Sequence, residues 1–387
     1  MSRQDKPYRV YRGGRVKGRV PTVPKPERTS SRDGRRRPPL RYPGPGAKEK
    51  PKRRIGWRTR ILLMLGLLFL LLIVWVVLGF LAVRKGADEA NARLGPRAGA
   101  ALEPQDGLLL SHPSVTLLLG TDHAAYQRQR KGFRRADSIM LVRTDPGRGR
   151  IGYLSIPRDL RVEVPGYGFE KINSAMQIGG PALAIRTIRQ IIPEVNHVVI
   201  VNFDAFKEVI DKVGGVTVDV PGPILSNKFD CPYPTQERCD RWAGWRYAKG
   251  PQKMDGRRAL IYSRIRENRL NPSESDTTRG RRQQDVIQAL LGQMTSVGVF
   301  VRLPFIGDDA MSPLTTDLSA GEFMQLALVQ KRSSREVRCR LGGTPQDFGG
   351  GSFIQLDEEA RRTILAFRGQ SAPQPPLPGS TFGSGCQ

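Results

Sequence analysis

The sequence predicts a single α/β domain, a central mixed sheet flanked by helices on both faces, preceded by one transmembrane helix. Two observations carry this prediction. Segments with strand-like and helix-like patterns alternate over about 250 residues, which is typical of an α/β fold. An uncharged apolar run occupies residues 61–83, and as a helix it is long enough to cross about 30 Å of hydrocarbon.

The chain begins with a strongly basic segment. Residues 1–60 contain 21 Lys and Arg against 4 Asp and Glu, so they carry +17 of the formal charge of +27. This segment is rich in Arg, Pro and Gly, which predicts a disordered tail. Because it directly precedes an apolar span, we interpret it as a cytoplasmic topology signal that contacts anionic lipid, with no nucleic-acid partner. A cleaved signal peptide is the alternative, but residues 61–83 exceed its usual ~7–15-residue apolar core.

Composition divides the rest of the chain. Residues 84–113 contain Ala, Gly and Pro, and we interpret them as a linker or short helix. The folded domain is placed at residues 114–369. The final segment, 370–387, is rich in Pro, Gly and Ser and is expected to be disordered.

Three apolar runs at the start of the domain are predicted strands: SVTLLLGTD, DSIMLVRTD and RIGYLSIPRD. Asp122, Asp145 and the pair Arg158 and Asp159 follow their C-terminal ends, and Asp137 opens the second run. These positions predict a polar site along one edge of a sheet. A single Asp is more often a turn or cap residue, but several together could bind a hard divalent cation.

Residues 255–284 place several arginines beside apolar residues, which indicates an anion-binding surface. The following apolar residues recur with the spacing of a buried helical stripe, at Val286, Ile287, Leu290, Leu291 and Met294. Projected backward, the stripe meets Arg279, Arg282 and Gln283. A helix that begins there, capped by Asp276 or Thr277, would direct positive charge and free N–H groups at a phosphate.

The preceding segment, residues 259–266 (ALIYSRIR), alternates like a strand with Leu260, Tyr262, Arg264 and Arg266 on one face. A short helix is the alternative. A competing interpretation pairs the arginines with acidic neighbours on a solvated surface, namely Glu267, Asp276 and Asp285.

Later elements complete a core. A helix that covers the sheet is predicted around four isoleucines, Ile185, Ile188, Ile191 and Ile192. AGEFMQLALVQKR and LDEEARRTILAFR are predicted helices, and REVRCRL is a predicted strand in which Cys339 is a buried, free cysteine.

Six blocks in order give the chain a specific resemblance: RADSIMLV, SIPRDLRVEVPGYG, KINSAMQIGGP, VNFDAFKEVIDKVGGVTVDVP, MDGRRALIYSRIR and DTTRGRRQQDVI. Together they resemble the LytR-CpsA-Psr family, membrane-anchored enzymes that attach glycopolymers to the bacterial cell wall. The resemblance covers residues 114–369.

The resemblance implies roles for individual residues. Asp137 and Asp159 match the family's magnesium-associated carboxylates, and Arg158 lies beside the latter. The family's pyrophosphate-binding positions fall on Lys171, Arg264, Arg266, Arg279, Arg282 and Gln283. We assign catalytic roles to Asp137, Arg158, Asp159 and Arg266. Guanidinium groups and Mg²⁺ would neutralise a pyrophosphate, and the polyprenyl tail would lie in an apolar groove between sheet and helices.

Residues 226–250 depart from the family pattern and resemble an inserted loop. Cys231 and Cys239 lie within it, and because the domain is expected outside the cytoplasm, a disulfide between them is predicted. The loop offers too few ligands for a zinc site.

The sequence therefore predicts a phosphotransferase that moves a glycopolymer from a polyprenyl-pyrophosphate carrier to peptidoglycan. Two alternatives remain at this point. A polyprenyl-pyrophosphate phosphatase would use the same anion site with water as acceptor, and a non-catalytic envelope regulator would need the fold without the charged constellation.

The charge asymmetry around residues 61–83 predicts that the N-terminus is cytoplasmic and the domain external. A reporter that functions only outside the membrane, fused after Gln387, should therefore be active. An inactive fusion, together with an active cytoplasmic reporter at the same position, would contradict this orientation.

Overall fold

A computed structural model of the chain describes residues 56–121, 135–272, 274, 276–349, 351–376 and 383–387, without the side chains of Asp276 and Thr277. The chain divides into two units, Met1–Thr59 and Arg60–Gln387, and the fold below is that of the second. Residues 1–55 of the predicted tail, which was placed at residues 1–60, and the candidate Asp122 lie outside the described residues. The predicted caps of the arginine-rich helix fall on the two side chains left out.

The helices of the described residues are, in chain order, α1 (Trp57–Ala92), α2 (Pro96–Gly99), α3 (Ser174–Arg189), α4 (Phe203–Lys212), α5 (Gln236–Arg241), α6 (Gly256–Arg264), α7 (Asp276–Met294), α8 (Val297–Met311), α9 (Ala320–Arg332) and α10 (Glu358–Phe367). The strands are β1 (Ser114–Thr121), β2 (Ala136–Asp145), β3 (Arg150–Ile156), β4 (Arg161–Val164), β5 (Gly168–Lys171), β6 (His197–Asn202), β7 (Val216–Val220), β8 (Ile224–Leu225), β9 (Arg246–Tyr247), β10 (Gly250–Met254), β11 (Thr315–Thr316), β12 (Arg335–Arg340), β13 (Thr344–Phe348), β14 (Gly351–Gln355) and β15 (Gly385–Cys386).

A seven-stranded mixed sheet organises the domain, with strand order β11-β6-β1-β2-β3-β12-β15. β1, β2 and β3 pair antiparallel, whereas β6 runs parallel to β1 and β12 runs parallel to β3. The predicted fold class, a central mixed sheet with helices on both faces, is confirmed.

Alternation along β1 shows how the sheet separates two cores. Leu117 and Leu119 are fully buried on one face, where they pack in the same cluster as Ile188 of α3 and Phe367 of α10. Leu118 lies on the other face and packs in a cluster with Ile287 of α7. Successive strand side chains point to opposite faces, so both layers of helices are needed to bury this strand.

The segment ALIYSRIR forms a helix, so the strand interpretation of residues 259–266 is wrong and the helical alternative is correct. α6 begins after Asp255, whose carboxylate accepts a hydrogen bond from the backbone N–H of Arg258 (2.7 Å). Residues 259–263 are all buried, which hides the helical periodicity in the sequence.

α1 is long and apolar enough to cross a membrane, and its apolar part is exposed. The helix continues past the predicted span to Ala92. Beyond it, Leu94, Ala98 and Ala101 are buried in the core next to α3. Residues 84–113, interpreted as a linker or short helix, thus contain the end of α1 and the short helix α2, and part of the segment packs in the core.

The four cysteines of the chain form two disulfides. The predicted Cys231–Cys239 bridge is confirmed. Cys339 is bonded to Cys386, so the expectation of a free cysteine is wrong. Residues Gly385–Cys386 also form β15 beside β12, so the end of the C-terminal segment is ordered on the sheet. A bond between residues 47 apart leaves no local pattern in the sequence.

We expect the Cys339–Cys386 bridge to stabilise the domain more than the Cys231–Cys239 bridge, because it closes the longer loop, with separations of 47 and 8 residues. Loop-closure entropy corresponds to about 4 kcal/mol for the former and about 2.5 kcal/mol for the latter. Replacing each pair by two serines and measuring thermal unfolding in detergent micelles tests this order. An equal or greater loss for the shorter loop would contradict it.

Candidate functional site

The carboxyl ends of several strands meet at one edge of the sheet. Parallel pairing places the ends of β1 and β6 together, and likewise those of β3 and β12. β2 begins at this edge, since Gly120 pairs with Ser138 and Ile139 pairs with Ile156. The register therefore brings Asp137 next to Arg158 and Asp159. Ligands of open α/β sheets bind at such edges.

Asp145 lies at the opposite end of the sheet. It pairs with Arg150 in the β2–β3 register and its carboxylate lies 3.6 Å from the guanidinium of Arg148. The prediction that all the strand-end carboxylates share one edge is therefore wrong for Asp145, because β2 runs antiparallel to β1 and β3.

Alternating charges occupy the site edge. The Arg158 guanidinium donates to the Asp137 carboxylate at 2.8 Å and lies 3.5 Å from that of Asp159. Lys171, at the end of β5, donates to Asp159 at 2.8 Å and lies 5.3 Å from the ring centroid of Phe353. About a quarter to a third of each charged side chain is exposed, with values of 24–33%. The cluster is thus fixed by ion pairs and open to a ligand.

Polar contacts to three strands hold the start of α7 over this edge. Gln283 accepts a hydrogen bond from Ser138 Oγ of β2 at 3.0 Å. The buried Gln284 amide donates to Ser155 Oγ of β3 at 2.9 Å and to the carbonyl of Cys339 in β12 at 2.8 Å. Buried polar groups satisfied in this way fix one orientation of a helix.

A fourth contact of α7 is an ion pair. Asp285 accepts a hydrogen bond from Arg338 of β12 at 2.8 Å. Burial raises the pKa of Asp285 above its ordinary value, and the neighbouring Arg338 opposes that shift. The main effect of this ion pair is therefore to fix the orientation of α7 on the sheet.

Two cavities meet at this helix start. The central cavity, of about 390 Å³, lies between α7, α6 and the edge of the sheet. The polar cavity, of about 410 Å³, lies on the side of β3, β12 and the β13–β14 hairpin. The residues that line both are Asp137, Ser138, Arg279 and Gln283.

Most of the predicted site residues line these cavities. Arg264 and Arg266 line the central cavity. Arg158, Asp159 and Lys171 line the polar cavity. With Arg279 and Arg340, the described lining contains six basic residues against the two carboxylates of Asp137 and Asp159, which gives the site an excess of positive charge.

A third cavity, the apolar cavity of about 160 Å³, extends behind the central one between the sheet and α7, α8 and α9. The residues shared by the two are Leu118, Val201, Phe206 and Ile287. A charged site therefore continues into an apolar space inside the domain.

The inserted loop closes one side of the central cavity. Asn227 and Phe229 contribute to its lining. Asp230 forms an ion pair with Arg264, whose guanidinium also lies 4.7 Å from the ring centroid of Phe203. The loop thus contacts one of the predicted anion-binding arginines directly.

Arg282 is placed differently from its predicted partners. The residue is 3% exposed, and its guanidinium donates to the carbonyl of Ile265 at 2.9 Å and forms an ion pair with Glu274. Burial lowers the pKa of Arg282, and the charge of Glu274 opposes the shift. Arg282 is not among the described residues that line the cavities. Its contacts instead hold the α6–α7 connection, which carries Arg266.

The fit of the two carboxylates to Mg²⁺ can be judged from their geometry. Asp137 and Asp159 line the same cavity and both contact Arg158. Within the described residues, no group of three or more His, Cys, Asp or Glu is arranged to hold a metal. Mg²⁺ commonly takes one or two protein carboxylates and completes its shell with substrate phosphates and water. The pair fits that mode of binding.

Sequence reasoning missed two polar contributors. Ser138 follows Asp137 within the quoted RADS block and positions Gln283. Arg340 ends β12 at the same sheet edge, lines the polar cavity and donates to the carbonyl of Gly383 at 2.6 Å. The site residues follow the carboxyl ends of strands. The same rule identifies Arg340 once the segment REVRCRL is known to pair parallel with RIGYLSI.

Comparison with known proteins gives consistent matches. Residues 85–359 match the model of the LytR_cpsA_psr family. The chain is 31% identical to the polyisoprenyl-teichoic acid–peptidoglycan teichoic acid transferase TagV of Bacillus subtilis, over 69% of this chain and 66% of that protein. It is 28% identical to TagU of Oceanobacillus iheyensis, of the same description, over 67% and 76% of the two chains.

Other matches extend the comparison. Regulatory protein MsrR of Staphylococcus aureus is 31% identical over 55% of this chain and 58% of its own. Among solved structures, TagT bound to LI-WTA superimposes with a TM-score of 0.53 at 26% identity, over 69% of this chain and 94% of that one. B. subtilis TagV gives a TM-score of 0.54 at 26% identity, over 67% and 99%.

We expect Arg282→Ala to destabilise the domain by about 3–5 kcal/mol, because it leaves the Glu274 carboxylate without its buried partner. The neighbouring Arg281 is exposed, and Arg281→Ala should change stability by less than about 0.5 kcal/mol. Thermal unfolding of the two variants measures the difference. Equal stability of the two would contradict a structural role for Arg282.

Proposed function

The chain belongs to the LytR_cpsA_psr family, and from this premise we propose that it transfers a glycopolymer from a polyprenyl-pyrophosphate carrier to peptidoglycan. The transfer forms a phosphodiester link in the cell wall. TagV and TagU are named as transferases that join teichoic acid to peptidoglycan, and the similarity to them supports this assignment.

One observation carries the proposal: a cationic site opens directly into an apolar cavity. The central cavity holds Arg264, Arg266 and Arg279 and shares Leu118 and Ile287 with the apolar cavity behind it. A ligand that matches both surfaces has a multiply charged anion joined to a long hydrocarbon chain. A polyprenyl pyrophosphate has that chemistry.

The arginines bind and orient the pyrophosphate in this proposal. Guanidinium groups donate paired hydrogen bonds to phosphate oxygens and remain charged at any physiological pH. Arg266 and Arg279 approach from the α6–α7 side, whereas Arg158 and Lys171 approach from the sheet edge. Binding between them holds the two phosphorus atoms at the junction of the central and polar cavities.

The polar cavity then receives the sugar and the acceptor. A hydroxyl oxygen of peptidoglycan attacks the phosphorus nearest the sugar, and the bond from that phosphorus to the bridging oxygen breaks. Polyprenyl phosphate leaves, and the acceptor becomes a phosphodiester. The hydroxyl proton passes to a carboxylate, for which Asp137 and Asp159 are the two candidates.

Asp137 and Asp159 would also hold Mg²⁺ together with the substrate phosphates. When bound, the ion neutralises phosphate charge and acts as a Lewis acid. The chain's own cations act on the same charge. Arginines fixed by surrounding contacts need little reorganisation as negative charge moves to the leaving group.

In the cell, α1 would anchor the chain in the cytoplasmic membrane as a single span. The basic residues before it favour a cytoplasmic N-terminus and an external catalytic domain. This arrangement brings the site to the side of the membrane on which peptidoglycan lies.

Arg266→Ala should lower the transfer rate by about 10³-fold, because a well-placed arginine contributes that much in related phosphoryl transfers. Arg257 of α6 is also exposed and lies outside the described cavity linings, so Arg257→Ala is a matched control that should transfer at nearly the wild-type rate. The measurement is the amount of glycan joined to purified peptidoglycan. Asp159→Ala and added EDTA should each slow transfer.

Free glycan phosphate is measured in the same assay, and inorganic phosphate is measured with the carrier that bears no glycan. Transfer at wild-type rates by both Arg266→Ala and Asp159→Ala would contradict the assignment. Release of either phosphate product without any glycan joined to peptidoglycan would indicate a phosphatase in place of a transferase.

A further inference from the structure

α8 packs along the C-terminal half of α1, and the contacts follow one another in the same order along both helices. Trp75 Nε1 donates to the carbonyl of Phe300 at 3.4 Å, and the rings of Trp75 and Phe305 lie 5.6 Å apart. Four residues later along α1, a Cβ on Gly79 would lie 3.1 Å from Leu303. The helices therefore run side by side in the same general direction.

Glycines permit this close approach. A Cβ on Gly86 would lie 2.5 Å from the carbonyl oxygen of Asp308, and one on Gly307 would lie 2.9 Å from Val83. Small residues bring helix backbones together in this way. Lys85 adds an ion pair with Asp308 at the upper end of the contact. The position of α8 relative to α1 is thus fixed by packing and charge.

The side of α8 that adjoins this contact with α1 is apolar and exposed. Val297, Val301 and Phe305 lie at four-residue intervals on one face and are 75%, 53% and 73% exposed. Phe300, at the margin of this face, is 43% exposed. A contiguous apolar helix face of this kind indicates a contact surface. We call these four residues the α8 face.

The depth of the α8 face follows from the length of α1. Trp75 lies eight residues before Val83, the last residue of the uncharged run, so it is about 12 Å below that end at 1.5 Å per residue. The run of 23 residues is about 34 Å long, close to the ~30 Å of the hydrocarbon core. Phe300 and Phe305, which contact Trp75, therefore lie at the level of the outer hydrocarbon.

We propose that the α8 face is embedded in the outer leaflet of the membrane and contacts acyl chains. This proposal rests on the anchoring of α1 in the proposed function. The occupant is lipid because the face is continuous with the exposed surface of α1 and lies beside Trp75 within its apolar run.

This placement has a consequence for the substrate. α7 and α8 meet at 85°, and residues from both, including Met294 and Ala310, line the apolar cavity. The wall of that cavity thus continues into the embedded face. A polyprenyl chain would pass from the leaflet to the cavity along α8 without its hydrocarbon crossing water.

The test uses full-length protein in vesicles of phosphatidylcholine and phosphatidylglycerol. All four native cysteines form disulfides, so one added cysteine provides a single free thiol for a nitroxide label. Labels at Val301→Cys and Phe305→Cys are compared with Leu365→Cys, an exposed helical position on α10. Leu70→Cys, in the middle of the apolar run of α1, reports the anchor itself.

Collisions with oxygen, which concentrates in hydrocarbon, should dominate at positions 301, 305 and 70. Collisions with a water-soluble nickel complex should dominate at 365. If the nickel complex reaches the labels at 301 and 305 while oxygen dominates at 70, the proposal is wrong and the anchoring of α1 stands. Nickel accessibility at 70 would overturn both. Protection of 301 and 305 from both reagents would mean that protein covers the face, which also overturns the proposal.

A second measurement addresses the consequence for the substrate. Phe305→Asp should lose transfer from a long-chain polyprenyl donor in vesicles and retain transfer from a short-chain, water-soluble donor. Leu365→Asp, the control, should retain both. Equal rates of Phe305→Asp and wild-type protein with the long-chain donor would overturn the passage along α8.

Discussion

The docking of α7 on the sheet is the constraint on which the site depends. Two glutamines and an aspartate at successive positions, 283 to 285, contact β2, β3 and β12. Their donors and acceptors are largely buried, so a rotated or shifted helix would leave them without partners at a cost of about 1–3 kcal/mol each. Since the helix cannot rotate without that loss, Arg279 is held over the sheet edge while Ile287, two turns later, packs on the sheet.

The arginines of the region perform different tasks, and burial separates them. Arg282 is buried and balanced by Glu274, so its charge is already satisfied inside the protein and it stabilises the α6–α7 connection. Arg266 is exposed at the start of that connection and lines the central cavity. A buried guanidinium with a fixed partner gains little from a ligand, whereas an exposed one at the rim of a cavity is accessible to phosphate. The two types look alike in a sequence.

Periodicity predicted much of the fold, and its failures have physical causes. α7 follows the spacing of one buried face, and the structure places a helix there. β1 is predicted from a continuous apolar run, and it is a strand that packs on both faces. α6 was misread because residues 259–263 are buried on all sides, although Asp255 provided a capping signal. The Cys339–Cys386 pairing depends on β15 joining the sheet edge, which is a tertiary event. The site residues came from a family pattern, and pattern alone did not separate Arg282 from Arg279.

The surfaces along α7 and α8 change in one direction, from charged to apolar. The start of α7 faces cations and carboxylates, its later turns line the apolar cavity, and α8 carries an exposed apolar face beside α1. An amphiphilic donor likewise has a charged end and an apolar end. Its pyrophosphate can contact the cations while its hydrocarbon contacts the apolar cavity only if the donor binds in one direction. In the proposed function, that direction would place the sugar in the polar cavity, away from the membrane. The helix pair would then determine which phosphorus an acceptor from the wall can reach.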